Sequence, residues 1–335
     1  MSNRKDDHIH SALKQDHPNN DFDSVRLLSN SVGSVNVKDV DIQVHMFERT
    51  FLTPIYINAM SGGSELSKEV NEKLSVVASH FGFPMATGSL SAAIKNDTWK
   101  ESFQIIQKNM ENGFKIANIG LSRSKEDAKK AVEILNADAL QIHLNVAQEI
   151  TMPEGDREFK HWNARISEII NYIDVPVIVK EVGFGMTRET VELLSSLGVT
   201  YIDVSGKGGT NFISVENDRR VNRLKTFENY GISTVESLLD NQNQKVTLFA
   251  SGGIRDAFDV VKALSLGATM VGMSGYFLKL VMQHSIEEVL VIIQTLIDDV
   301  KGMMAVLNVE NIQDLKHVQK IYHGTVLEFI NQRKK

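Results

Sequence analysis

Short apolar runs recur from about residue 55 to residue 273, and the stretches between them carry helical spacing. The runs read Pro54–Ala59, Pro84–Gly88, Phe114–Ile119, Leu140–Leu144, Pro176–Lys180, Tyr201–Ser205, Val246–Ala250 and Met270–Met273. Being short and largely apolar, they predict parallel strands buried on both faces. Between them, Val191, Leu194 and Leu197 lead to Gly198, and Val260, Val261, Leu264 and Leu266 lead to Gly267. That is helical periodicity followed by a stop. Strand and helix alternating eight times predict an α/β fold, a (β/α)8 TIM barrel over residues 54–335. A doubly wound open sheet is the main alternative, but no G-x-G-x-x-G follows the first strand. Residues 1–53 form an N-terminal extension of mixed charge. Residues 206–231, rich in Gly, Asn and Arg, form a long loop after strand six, expected as an active-site cover or a disordered insert. From about Ile286 the chain reads as helical and is expected to finish the barrel wall.

Chemistry in such a barrel sits at the C-terminal ends of the strands. Here those ends read Met60-Ser61-Gly62-Gly63, Gly88-Ser89, Asn118, His143-x-Asn145-x-x-Gln148-Glu149, Lys180, Ser205-Gly206-x-Gly208-Gly209-Thr210, Ser251-Gly252-Gly253-x-Arg255 and Gly272-Met273-Ser274-Gly275. All eight carry small or polar groups. Gly252-Gly253 permits close approach of backbone amides to a ligand, and Asp256 opens a helix whose N-terminus favours negative charge. With the turn after strand eight, this makes a phosphate cradle; tight turns alone would be the plainer reading. Lys180 ends an apolar run and would place a fixed cation in the barrel mouth, while Glu181 faces the other way. His143, Asn145, Gln148 and Glu149 cluster after strand four as a polar site. One carboxylate cannot cage a metal, but it holds Mg²⁺ when a diphosphate supplies the other oxygens. Arg4, Lys5 and His8 share a face if the N-terminus is helical; read alone, they are a solvated charge cluster.

Composition narrows the partners. The 335 residues include no cysteine, which excludes disulfide scaffolds, zinc ribbons and cysteine nucleophiles. A formal net charge of −6 argues against a nucleic-acid partner but not against a small anion held by a few local cations. The N-terminus lacks the apolar stretch of a secretory signal, and no apolar run is long enough to span a bilayer. The expected location is the cytoplasm.

Arg4-Lys5-x-x-His8, Asn58-Ala59-Met60-Ser61-Gly62-Gly63, His143-x-Asn145-x-x-Gln148-Glu149, Lys180-Glu181-Val182-Gly183-Phe184-Gly185 and Ser251-Gly252-Gly253 resemble the type 2 isopentenyl-diphosphate isomerases over nearly the whole chain. Ser61 stands where Thr is expected, with the hydroxyl kept. The resemblance implies an FMN enzyme that interconverts isopentenyl and dimethylallyl diphosphate, with Mg²⁺ and with NAD(P)H as reductant of the flavin. It implies FMN contacts from Ala59, Met60, Ser61, Gly62, Ser89, Asn118, Lys180, Ser205, Thr210, Gly252, Gly253, Ile254, Arg255, Ser274 and Gly275. Substrate contacts fall on Arg4, Lys5, His8, Ser91, Asn145 and Gln148, and Glu149 becomes the Mg²⁺ ligand. Gln148, Lys180 and His143 are the candidate catalytic residues, with the reduced flavin as acid/base and His143 as its main protein competitor. A homo-oligomer, tetramer or octamer, is expected. The alternatives are an FMN-dependent oxidoreductase of the hydroxy-acid oxidase type and a non-catalytic phosphate-ligand binding barrel.

Overall fold

In the computed structural model, residues 4–15, 19–60 and 62–333 are described; Ser61 and the side chain of Arg4 lie outside the described residues. Eight parallel strands close into a barrel: Ile55–Ile57, Met85–Ala86, Lys115–Gly120, Ala139–Leu144, Val177–Glu181, Tyr201–Asp203, Thr247–Ser251 and Met270–Met273. These are the eight runs of the sequence, with ends that differ by at most two residues. Each strand pairs with its neighbour in sequence, and the eighth pairs with the first, Val271 opposite Ile55. The register sets Gly120, His143, Lys180 and Asp203 side by side on strands three to six. In parallel pairing such neighbours point the same way, so these four positions share one layer of the barrel.

The helices pack their apolar stripes on the outside of this sheet. Ala257–Ser265 buries Val260, Val261 and Leu264 and is opened by Asp256, whose side chain accepts the Asp259 N–H. The long helix Ile286–Val306 begins at a Ser285–Glu288 capping box and buries Val289, Ile293, Leu296, Ile297 and Val300. No helix among the described residues is long and apolar enough to cross a membrane.

Three segments differ from expectation. The tail is not helical throughout, because Lys320–Tyr322 forms a strand antiparallel to Val25–Leu27 of the N-terminal segment. Three-residue strands are too short for their periodicity to register. The N-terminal segment also contains a hairpin, Val44–Met46 with Arg49–Phe51. Its two-residue turn places Phe47 and Glu48 at φ of 53° and 56°. Tight hairpins require that left-handed conformation, and Asn-Gly usually marks it. Here Phe47 stacks on Phe114 at 5.1 Å and meets Tyr201 at 4.5 Å, closing the barrel end opposite the site. The ring is half-buried by these contacts, which work against the backbone strain. Third, the stretch 206–231 is built rather than irregular. It holds the helix Phe212–Asn217 and the 3-10 turn Lys225–Asn229.

Candidate active site at the barrel mouth

Two cavities, of about 620 and 370 Å³, open side by side at the C-terminal ends of the strands and share Ala59, Met60, Lys180, Val182 and Phe212 as walls. The smaller is a backbone cradle. Ser205, Thr210, Gly252, Gly253, Ile254, Arg255, Ser274 and Gly275 all line it. Gly252 and Gly253 stand at φ of 92° and 80°, and a Cβ on Gly252 would lie 2.1 Å from the Gly206 carbonyl oxygen. No other residue fits there. The helix Gly275–Gln283 starts at Ser274 with no side chain capping its first N–H groups, which leaves donors for an anion.

Arg255 is not the free cation that its position suggests. Its Nε and its own N–H both donate to Asp259 Oδ2, at 2.7 and 3.1 Å, and its terminal nitrogens reach Asp23 at 2.6 Å. Asn20 donates to the Gly253 carbonyl at 2.8 Å. The N-terminal segment therefore braces the glycine turn, with Arg255 as the pin. Gly62 lines neither cavity: it backs onto the Phe103 ring, which a Cβ would overlap.

The larger cavity gathers Lys5, His8, Ser89, Ser91, Asn118, His143, Asn145, Gln148, Glu149 and Lys180. The helix Arg4–Lys14 brings Lys5 and His8 over the mouth. Strand four and the helix Val146–Thr151 after it present the polar cluster. Glu149 accepts from Asn145 Nδ2 at 2.9 Å and from the Asp156 N–H at 2.7 Å. Gln148 donates to Glu216 at 2.9 Å, and Glu216 also takes Arg219 at 2.6 Å and lies 3.1 Å from His8 Nε2. Burial, with the charges of Lys180 and Lys5, pushes the His143 imidazole down to about 3, so it is neutral near pH 7. Lys180 bonds Ser205 Oγ at 3.0 Å and lies 3.9 Å from Asp203; burial lowers its pKa against the opposing pull of Asp203. Glu181, facing away, accepts the N–H groups of Val182 and Phe184 and holds the strand-five loop.

Sequence reasoning missed Lys95 and Arg123, both lining the larger cavity, and Glu216, Asp203 and Gln141 behind it. Strand three runs on to Gly120, one residue past the expected run, and the loop after it carries Arg123. Asp203 was legible by alternation with Ser205. Glu216 had no local signal, because its burial depends on how the strand-six loop folds back. Among the described residues, no three His, Asp or Glu side chains are grouped to hold a metal ion.

A glycine cradle after strands six to eight, opening onto a polar cavity at the C-terminal ends of the strands, is the arrangement of phosphate-binding TIM-barrel enzymes. A family model of FMN-dependent dehydrogenases matches residues 106–320. The chain is 45% identical to an isopentenyl-diphosphate delta-isomerase of Staphylococcus haemolyticus, covering 98% of this chain and 96% of that protein. It is 44% identical, with the same coverage, to one from Staphylococcus aureus strain Newman. Solved structures share the fold at lower identity. A mutant flavocytochrome b2 with benzoylformate superposes with a TM-score of 0.68 at 20% identity, covering 98% of this chain and 81% of that one. A mandelate oxidase gives 0.65 at 15%, covering 96% and 91%. The chain belongs to the type 2, FMN-dependent isopentenyl-diphosphate delta-isomerase family.

Proposed function

We propose that this chain converts isopentenyl diphosphate to dimethylallyl diphosphate, using FMN kept reduced by NAD(P)H, together with Mg²⁺. The observation that carries the reading is the meeting of the two cavities at Ala59, Met60 and Lys180. A phosphate cradle on one side and a cationic, partly apolar cavity on the other suit a flavin lying against a small diphosphate. The cradle glycines, which a Cβ would obstruct, and the uncapped N–H groups after Ser274 fit the flavin phosphate. Ser205, Thr210, Asn118, Ser89 and Lys180 would hold the rest of the cofactor. Reduced FMN supplies a ring that exchanges protons without net redox change over the cycle.

The side chains have separable tasks. Lys5, Lys95 and Arg123 neutralise the diphosphate, with Ser91 already bonded to Arg123 at 3.2 Å. Glu149 would be the protein ligand to Mg²⁺, which would offset the charge of the diphosphate. Met60, Leu121, Met152, Trp162 and Phe212 wall the cavity where the five-carbon chain lies and exclude water. Gln148, held by Glu216, orients the reacting end of the alkene. Lys180 sets a positive charge at the junction, where it favours an anionic ring. His143, neutral, is a hydrogen-bonding group rather than the acid. Of the N-terminal cluster, Lys5 reaches the cavity, His8 is engaged by Glu216, and the Arg4 side chain lies outside the described residues. The enzyme is proposed to work as a homo-oligomer in the cytoplasm.

Lys5 gives a direct check on the diphosphate side. Lys5→Ala raises KM for isopentenyl diphosphate about tenfold, the scale of one lost charge-assisted hydrogen bond, and leaves FMN bound. Steady-state kinetics and flavin absorbance measure both. An unchanged KM returns Lys5 to the solvated surface.

A further inference from the structure

A line of buried polar side chains runs through the barrel from strand six to strand four. Asp203, Asn58, Gln141 and Asn118 are each at most 2% exposed. Asp203 takes the Tyr56 hydroxyl at 2.7 Å, Asn58 Nδ2 at 2.8 Å, the Ser251 hydroxyl at 2.8 Å and the Ser205 N–H at 3.1 Å. Asn58 Oδ1 accepts the Ala59 N–H at 2.8 Å. The Asn58 amide is thereby oriented twice over, nitrogen toward the carboxylate and oxygen toward the backbone donor.

The rest follows link by link. Asn58 Oδ1 also accepts from Gln141 Nε2 at 3.3 Å, so Gln141 turns its oxygen the other way. That oxygen accepts from Asn118 Nδ2 at 2.8 Å. Asn118 is left with Oδ1 against His143 Nδ1, at 2.8 Å. A carbonyl oxygen only accepts, so Nδ1 carries the proton, and a neutral imidazole then has a bare Nε2. The cations facing the ring, Lys180 on strand five and Lys5 on the N-terminal helix, disfavour a second proton. His143 lines the larger cavity, and beside its Nε2 strand three carries Gly120, where a Cβ would come within 2.8 Å.

We propose that Asp203, Asn58, Gln141 and Asn118 form a positioning relay that locks His143 in its Nδ1–H tautomer and offers Nε2 to the cavity as a hydrogen-bond acceptor. The ligand group it recognises is a donor, a hydroxyl or a bound water, and it disfavours a bare phosphate oxygen at that point. Only this consequence rests on the cavity being the substrate site proposed above. The tautomer itself is read on the free protein and stands or falls apart from the isomerase reading.

The test is ¹⁵N NMR of histidine-labelled protein, without ligand, with the His143 signals identified by their loss in His143→Gln. Wild type shows a protonated Nδ1 and an unprotonated Nε2, with the Nδ1–H form in roughly tenfold excess, the worth of one hydrogen bond. Gln141→Met keeps the volume but cuts the relay; Asn118 is then free to turn, and the excess falls to near parity. Gln141→Glu loses the donation to Asn58 but keeps the acceptor for Asn118, and so keeps the wild-type tautomer; a merely space-filling role for residue 141 would leave the two variants alike. A proton on Nε2 in wild type overturns the proposal with no variant needed. So does a Gln141→Met spectrum that matches wild type.

Discussion

Gly252→Ala purifies without flavin, its affinity for FMN reduced by about 10³-fold, the scale of two or three lost charge-assisted hydrogen bonds. The added carbon would sit 2.1 Å from the Gly206 carbonyl oxygen at a backbone φ of 92°, so the strand-six and strand-seven turns must part. Parting them withdraws the cradle from the phosphate. Left-handed strain alone costs about 1–2 kcal/mol and is a separate effect. Gly267 supplies the control: its φ is 110°, with nothing within 4 Å of an added Cβ. Gly267→Ala therefore loses stability of that order and keeps its flavin. Absorbance of the purified variants and FMN titration of the stripped proteins separate the two. If Gly252→Ala holds stoichiometric FMN, the cradle lies elsewhere.

The second large effect is at Glu149. Glu149→Gln lowers kcat/KM for isopentenyl diphosphate by about 10²–10³-fold, the range seen when one preorganised electrostatic group is removed from an active site. FMN affinity stays at the wild-type value, since Glu149 lines only the larger cavity. The carboxylate takes a donor on each oxygen, Asn145 Nδ2 and the Asp156 N–H. An amide satisfies one of them and turns its own NH₂ toward the other. Rates measured across a Mg²⁺ titration decide the matter: a variant with the wild-type Mg²⁺ dependence removes Glu149 as ligand.

The barrel was legible because its strands are apolar on both faces and its helices keep their periodicity; these are local properties. The site was legible where its residues follow strand ends, as with Ser205, Gly252, Lys180 and the His143–Glu149 cluster. It was illegible where side chains meet only through tertiary packing. Glu216 reaches Gln148 from a loop 68 residues away. Arg255 lines the cradle and pairs with Asp23, 232 residues distant, a contact that no local pattern announces. The Val25–Leu27 and Lys320–Tyr322 pair joins the two ends of the chain, and neither strand declares itself alone.

The reaction proposed for this barrel is a redox-neutral isomerisation that needs a reduced flavin. The direct measurement is anaerobic conversion of isopentenyl diphosphate by the chain stripped of flavin and resupplied with FMN, Mg²⁺ and NAD(P)H, each omitted in turn, while product and nicotinamide oxidation are followed together. The expected result is dimethylallyl diphosphate over many turnovers, loss of activity with any omission, and no nicotinamide consumed beyond the initial reduction of the flavin. Nicotinamide oxidised in proportion to product, or no isomer formed with all three present, would contradict it.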